Sequence, residues 1–233
     1  MNTIADNLKV VRDRIRRSAA SCGRSPDEIS LLAVSKTFPT TDITEAIAHG
    51  QLDFGENRVQ EAEGKISDIP RFSGLTWHLI GHLQSNKARR AAQLFDVIHS
   101  IDSIRIASRI NQACLELGKS VSVLIQVDLA AEPNKSGAEA ESLSGIIAGI
   151  LEMPAIRLDG LMIIPPYFDD PESSRPYYRQ LRALRDALEG KNPGCLGRRH
   201  LSMGMSHDFE VAVEEGATIV RIGTAVFGER RRG

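Results

Sequence analysis

Lys36 closes the apolar run Leu31–Ser35 in LLAVSKTFPT, and Gly223 and Thr224 follow the run Thr218–Ile222 in TIVRIGTAVFG. A lysine at the end of a buried strand, where burial or a nearby cation lowers its pKa, presents a neutral amine that condenses with an aldehyde or ketone. A Gly-Thr pair after a strand lets backbone N–H groups approach an anion without a Cβ in the way, and adds a hydroxyl donor. SMGMS (Ser202–Ser206) contributes Ser202, Met203, Gly204 and a second serine, while Arg221 comes just before the glycine of the anion turn. Taken singly, each has a plainer reading. Lys36 reads as a rim charge whose stem lies on apolar surface, and the glycines read as turn formers.

The elements that must position these residues alternate along the chain. Strands are predicted at Leu31–Ser35, Leu52–Phe54, Thr76–Ile80, Val97–His99, Val121–Asp128, Ile156–Ile163, His200–Met203 and Thr218–Gly223. Helices are predicted from near Asp42 to Gly50, from about Asn57, and over Asn86–Leu94, Ser103–Leu117, Ala138–Leu151, Ser174–Leu188 and Asp208–Glu215. Asp42, with Glu45 three residues on, reads as a helix N-cap. Strands such as SVSVLIQV are apolar on nearly every position, as strands covered on both faces are. Eight β/α units without a composition break give an α/β fold of one domain over residues 1–233, a (β/α)₈ TIM barrel, with a doubly wound open sheet as the alternative. Little chain remains after strand eight, and the N-terminal amphipathic stripe Ile4, Leu8, Val11 and Ile15 is expected to complete the outer ring of helices.

In such barrels chemistry sits at the C-terminal ends of the strands, and phosphate sites gather near strands seven and eight. Lys36 and the Gly223–Thr224 turn then face each other across one mouth. An amine and a phosphate site at that spacing suggest pyridoxal 5'-phosphate, with Arg221 facing the pyridine nitrogen. An arginine there cannot readily stabilise a protonated ring, so the cofactor would be a weaker electron sink than one paired with a carboxylate. Asn57, at the start of the loop after strand two, either touches this ligand or caps a helix. His78 and His82 form an H-x-x-x-H spacing, but on a strand and loop without the glutamate of a zinc protease, so His78 is read as packing or hydrogen-bonding inside the barrel. Asp102, Asp128 and Asp208 read first as strand-end and capping carboxylates.

Bulk properties exclude several classes. With 42% hydrophobic and 25% charged residues and a net charge of −1, the sequence has no electrostatic footprint for nucleic acid. The basic clusters RDRIRR, GRRH and ERRRG are local. No run approaches the roughly 20 apolar residues of a membrane span, and the N-terminus lacks a secretory h-region. Three scattered cysteines form neither a disulfide framework nor a zinc site. A cytoplasmic monomer is expected.

The motifs LLAVSKTFP, FGENRVQE, WHLIGHLQSNK, NKSG, GLMIIPP, LSMGMSHDFEVAVEEGAT and VRIGTAVFG resemble, in order and over nearly the whole chain, the pyridoxal phosphate homeostasis proteins, also called the proline synthase co-transcribed family. The resemblance implies a fold-type III barrel like the N-terminal domain of alanine racemase, with pyridoxal phosphate as an aldimine on Lys36. It further implies phosphate contacts from Ser202, Gly223 and Thr224, a ring-nitrogen contact from Arg221 and a nearby Asn57; His78, Met203 and Gly204 are secondary candidates. The chain departs from the family pattern at Arg58, where an aromatic residue is usual, at His82, and in the Ile163–Pro166 segment. The implied role is to hold pyridoxal phosphate and buffer it or hand it to apo-enzymes. A racemase of the alanine racemase class and a cofactor-free Schiff-base aldolase are the alternatives. The racemase is disfavoured because this sequence contains no second β-domain, from which enzymes of that class draw part of their site.

Overall fold

The computed structural model describes residues 3–130 and 136–229. Asn134 and Lys135 of the NKSG motif and the arginines of the ERRRG ending lie outside them. Eight parallel strands form the barrel: β1 (Ser30–Val34), β2 (Asp53–Glu56), β3 (Thr76–Leu79), β4 (Val97–Ile101), β5 (Val121–Asp128), β6 (Ile156–Met162), β7 (His200–Met205) and β8 (Ile219–Ile222). Each pairs with its neighbour in sequence, and β1 pairs with β8 through Ser30↔Ile219 to Ala33↔Ile222, which closes the ring. The open-sheet alternative is thereby excluded. A two-residue strand, Ala138–Glu139, adds to the end of β5.

Because side chains alternate along a strand, each strand feeds two apolar layers. Leu32, Val34, Ile80, Leu124, Met162 and Ile219 fill the inside of the barrel as a separate small cluster. The large outer cluster, including Phe54, Trp77, Ile98, Val123, Leu161 and Val220, packs under the helices. These are α1 (Ile4–Ser21), α2 (Thr40–Ala48), α3 (Val59–Asp68), α4 (Ala88–Leu94), α5 (Ile104–Leu117), α6 (Leu143–Leu151), α7 (Arg175–Lys191), α8 (Phe209–Glu214) and α9 (Thr224–Phe227). At four residues, α9 is too short to cover its strand. α1 takes that place, burying Ile4, Leu8, Val11 and Ile15 against α2, α8 and α9. A Thr3–Asp6 capping box starts it, and the Asn7 amide donates to the Val226 carbonyl at 2.9 Å.

Three predicted helix starts are corrected. α2 begins at Thr40, not near Asp42, because Pro39 already holds the extended conformation of an N-cap (φ −72°, ψ 163°); Asp42 falls in the first turn, where a carboxylate suits the helix dipole. α3 begins at Val59 after Arg58, so Asn57 is not its cap. α6 begins at Leu143 because Ala138 and Glu139 are drawn into pairing with Val127 and Asp128. Among the described residues, no helix is long and apolar enough to cross a membrane.

Candidate functional site

The mouth at the C-terminal ends of the strands is built in two parts. On the first side, β1 pairs with β2 through Val34↔Gly55, and just beyond that pair Lys36 and Asn57 leave the sheet on adjacent strands. Lys36 is half-buried. Its flanking residues are clamped from α3. Ser35 Oγ donates to Glu56 Oε1 at 2.7 Å. The Lys65 ammonium donates to the Ser35 carbonyl at 2.7 Å, to Glu56 Oε1 at 2.8 Å and to Glu61 Oε1 at 2.7 Å. On the other flank, Thr37 N–H donates to Glu61 Oε1. Thr37 needs that support: its φ of 69° puts a β-branched residue in the left-handed region, at a cost of about 1–3 kcal/mol.

The two carboxylates of the clamp behave oppositely. Burial pushes the Glu56 carboxyl up, only partly offset by Lys65 and Ser35, and its Oε2 is buried without a hydrogen bond. Burial also works against charge on Glu61, yet Lys65 and the Thr37 N–H together hold that carboxyl below the usual range. Nothing in the residue spacing announces this cluster, because Glu61 and Lys65 at i,i+4 look like an ordinary solvated helix pair.

On the other side, Gly223 follows β8 and lies so close to β1 that a Cβ there would be 3.3 Å from the Val34 carbonyl oxygen. Ser206 Oγ accepts from the N–H groups of Gly223 and Ala225 at the long distances of 3.2 and 3.4 Å. Those N–H groups, with the Thr224 hydroxyl between them in sequence, make a small backbone cradle at the end of β8. Gly204 is required by the turn that delivers Ser206: its φ is +91°, and a Cβ would lie 2.5 Å from that of Ala212. Asp208 locks the same turn, accepting from Met205 N–H at 2.7 Å, Tyr178 Oη at 2.7 Å and Ser174 Oγ at 3.1 Å.

Arg221 lies deeper. It is 3% exposed, donates from Nη1 to Ser202 Oγ at 2.8 Å and from Nη2 to the Ile163 carbonyl at 2.8 Å, and burial lowers its pKa to about 10. That is still well above neutrality, so it remains a cation.

The structure brings Lys36, Asn57, Arg221, Gly223 and Thr224 to one end of the barrel, with Ser202 held against Arg221, and it sets Met203 and His78 apart from that group. Ser202 Oγ bonds to Arg221 and to His99 Nδ1, at 2.9 Å, while the hydroxyl that bonds the Gly223 N–H is that of Ser206. Met203 turns its side chain into the helix-facing core. His78 hydrogen-bonds inside the barrel, to His99 at 2.9 Å and Asp53 at 3.2 Å, and opens toward the opposite rim. Arg58 and His82, the departures from the family pattern, both line a cleft of ≈ 710 Å³ beside Asn57. His82 faces Asp102 at 3.4 Å. Among the described residues, no group of three His, Cys, Asp or Glu is arranged to hold a metal ion.

The closed parallel barrel is an alanine racemase N-terminal-like fold, and the family described as alanine racemase, N-terminal domain, matches residues 2–231. The pyridoxal phosphate homeostasis protein of Escherichia coli (strain K12) is 48% identical over 236 residues, covering 99% of this chain and 98% of that protein. PipY of Synechococcus elongatus PCC7942, solved without PLP, superposes with a TM-score of 0.87 at 40% identity over 97% of this chain and 100% of that one. PipY with PLP bound superposes with a TM-score of 0.83 at 39% identity over the same shares, 97% and 100%. The chain belongs to the pyridoxal phosphate homeostasis protein family.

Proposed function

We propose that this protein binds pyridoxal 5'-phosphate at the barrel mouth, holds it through a Schiff base with Lys36, and buffers it or delivers it to apo-enzymes in the cytoplasm. The observation that carries this reading is the juxtaposition of Lys36 and Asn57 on one side of the mouth with the Gly223–Ala225 cradle on the other. The residues fit the group. The cradle N–H groups, with Thr224 and Ser206, suit a phosphate; Arg221 offers a buried donor to a ring nitrogen; Asn57 Oδ1 is buried without a partner and suits a polar ring substituent. When bound, pyridoxal phosphate supplies an aldehyde that condenses reversibly with amines.

The protein's own contribution is placement. Anchoring the phosphate converts condensation at Lys36 into an effectively intramolecular step, and the α3 clamp fixes the backbone on both sides of the amine. A cationic Arg221 in place of a carboxylate favours holding over carbanion chemistry, which is why we read the role as storage and transfer rather than turnover. The half-buried position of Lys36 and the adjoining cleft leave a route for a competing amine or water. Free Cys22, Cys114 and Cys195 accord with a reducing compartment.

Titration with pyridoxal phosphate should produce a visible absorption band that Lys36→Ala abolishes; an unchanged band in that variant would overturn the reading. Incubation with alanine in deuterated water should give no appreciable α-proton exchange, whereas robust exchange would move the protein to the racemase class.

A further inference from the structure

The inside of the barrel carries a polar thread that the mouth chemistry does not use. Arg221 Nη1 donates to Ser202 Oγ at 2.8 Å, Ser202 Oγ meets His99 Nδ1 at 2.9 Å, His99 Nε2 meets His78 Nδ1 at 2.9 Å, and His78 Nε2 meets Asp53 Oδ1 at 3.2 Å. The residues come from β8, β7, β4, β3 and β2 in turn, so the thread crosses the barrel interior. Its far end opens into a cavity of ≈ 320 Å³ at the N-terminal rim, lined by Asp53 and His78 among others. Ser202, His99 and His78 are buried, whereas the Asp53 side chain is 38% exposed.

The chemistry at the two ends fixes the direction of every bond. A guanidinium only donates and a carboxylate only accepts. With both rings neutral, His78 gives Nε2–H to Asp53 and so accepts at Nδ1, His99 supplies that bond from Nε2–H, and His99 Nδ1 is left to accept the Ser202 hydroxyl proton. Ser202 Oγ in turn accepts from Arg221. All four bonds run one way, from cation to anion, and no buried donor or acceptor on the thread is wasted. A neutral His99 is what this pattern requires. Burial, reinforced by His78, Arg221 and His200, holds its pKa well below the usual histidine value.

We propose that Asp53, His78, His99 and Ser202 form a directional hydrogen-bond chain that positions Arg221 and couples its guanidinium to the N-terminal-rim cavity. The consequence for Arg221 follows from the donor count. A proton placed on His78 Nδ1 would confront the Nε2–H of His99, force His99 into its other tautomer and turn a donor toward Ser202, whose hydroxyl proton would have to swing away and whose oxygen would be shared between His99 and Arg221, so a change at the rim reaches the partner of the arginine at the mouth. The charges that bias this rim are Asp53 itself, Asp96, Asp159, Arg157, Arg198 and His200. Three of them are neutralised locally: Arg157 and Asp159 pair with each other at 2.9 Å, and Asp96 pairs with Arg71 at 2.9 Å. The effect on cofactor rests on the reading of Arg221 given above; the chain itself does not.

The test uses ligand-free protein first. The sequence has six histidines, few enough to assign by substitution. Long-range ¹H–¹⁵N spectra should show His78 and His99 each carrying a proton on Nε2 and none on Nδ1. Asp53→Asn, which keeps an acceptor, should preserve that pattern; Asp53→Leu, which removes it, should mix the His78 tautomers. A second arm measures pyridoxal phosphate affinity and the absorption maximum of the bound form: Asp53→Leu and His99→Phe should each weaken binding by about fivefold and shift the band, with Asp53→Asn near wild type. An Nδ1–H ring at either position in wild type, or a His78 spectrum indifferent to Asp53→Leu, would overturn the chain. Because Asp53 is on the rim, its variants remain informative if His99→Phe fails to fold. Failure of the wild type to bind pyridoxal phosphate would count against the mouth reading alone, the tautomer spectra still deciding the chain.

Discussion

The two sides of the mouth are held by different means. On the amine side, the turn carrying Lys36 is gripped by charged side chains: Lys65 bridges Ser35, Glu56 and Glu61, and Glu61 also takes the Thr37 N–H. On the anion side, the turn is held by backbone N–H groups and the Ser206 hydroxyl, two glycines set the path of the chain, and a single carboxylate, Asp208, ties the loop from behind. A grip made of charges depends on pH and on keeping every partner. A grip made mostly of backbone depends less on pH but is intolerant of added carbon.

The sharpest break of this contrast is Gly204→Val. The new side chain meets a φ of +91° and the Cβ of Ala212 together, so folding stability should fall by about 4 kcal/mol, read as a lowered denaturation midpoint equally at pH 5 and pH 8. A midpoint near wild type would show that the turn can re-form without its glycine. Next in size, Lys65→Met strands Glu56, which is fully buried, and should cost about 3 kcal/mol. Adding Glu56→Met should recover much of this loss. A single variant as stable as wild type would deny the clamp its role. The smallest effect sharpens the comparison most. The Glu61 carboxyl has a lowered pKa in the folded state, so its contribution is present above the unfolded value of about 4.5 and is lost as pH falls through the lower folded value. Glu61→Gln should therefore be less stable than wild type by about 0.5 kcal/mol at pH 7, the modest figure reflecting solvent screening, and indistinguishable from it well below pH 4. A deficit that persists in acid would mean the carboxylate charge is irrelevant.

How much of this was readable in advance follows the range of the interactions. β5 was legible to the residue, since the largely apolar run from Val121 to Val127, broken only by Ser122 and Gln126 and lying between Gly118 and Pro133, leaves room for one strand. Lys36, Arg221, Gly223 and Thr224 were legible because strand ends in a barrel share one rim whatever the details of packing. Ser206 entered only as the second serine of SMGMS, since a turn glycine at 204 does not tell which of the two hydroxyls, Ser202 or Ser206, is carried to the Gly223 N–H. The clamp was hidden because helix charges at i,i+4 usually face water. The thread from Asp53 to Arg221 was hidden for a deeper reason: it joins five strands, and which inward residues meet depends on the stagger between strands rather than on any spacing along one of them.

The placement of α1 bears on how the molecule is made. Its apolar stripe is covered by α8 and α9, and Asn7 bonds to Val226, 219 residues away. During synthesis α1 thus meets α2 early but must wait for α8 and α9, and until those emerge much of its greasy face has no native cover. Its last native contacts form late, and any nascent-chain chaperone has a clear target there.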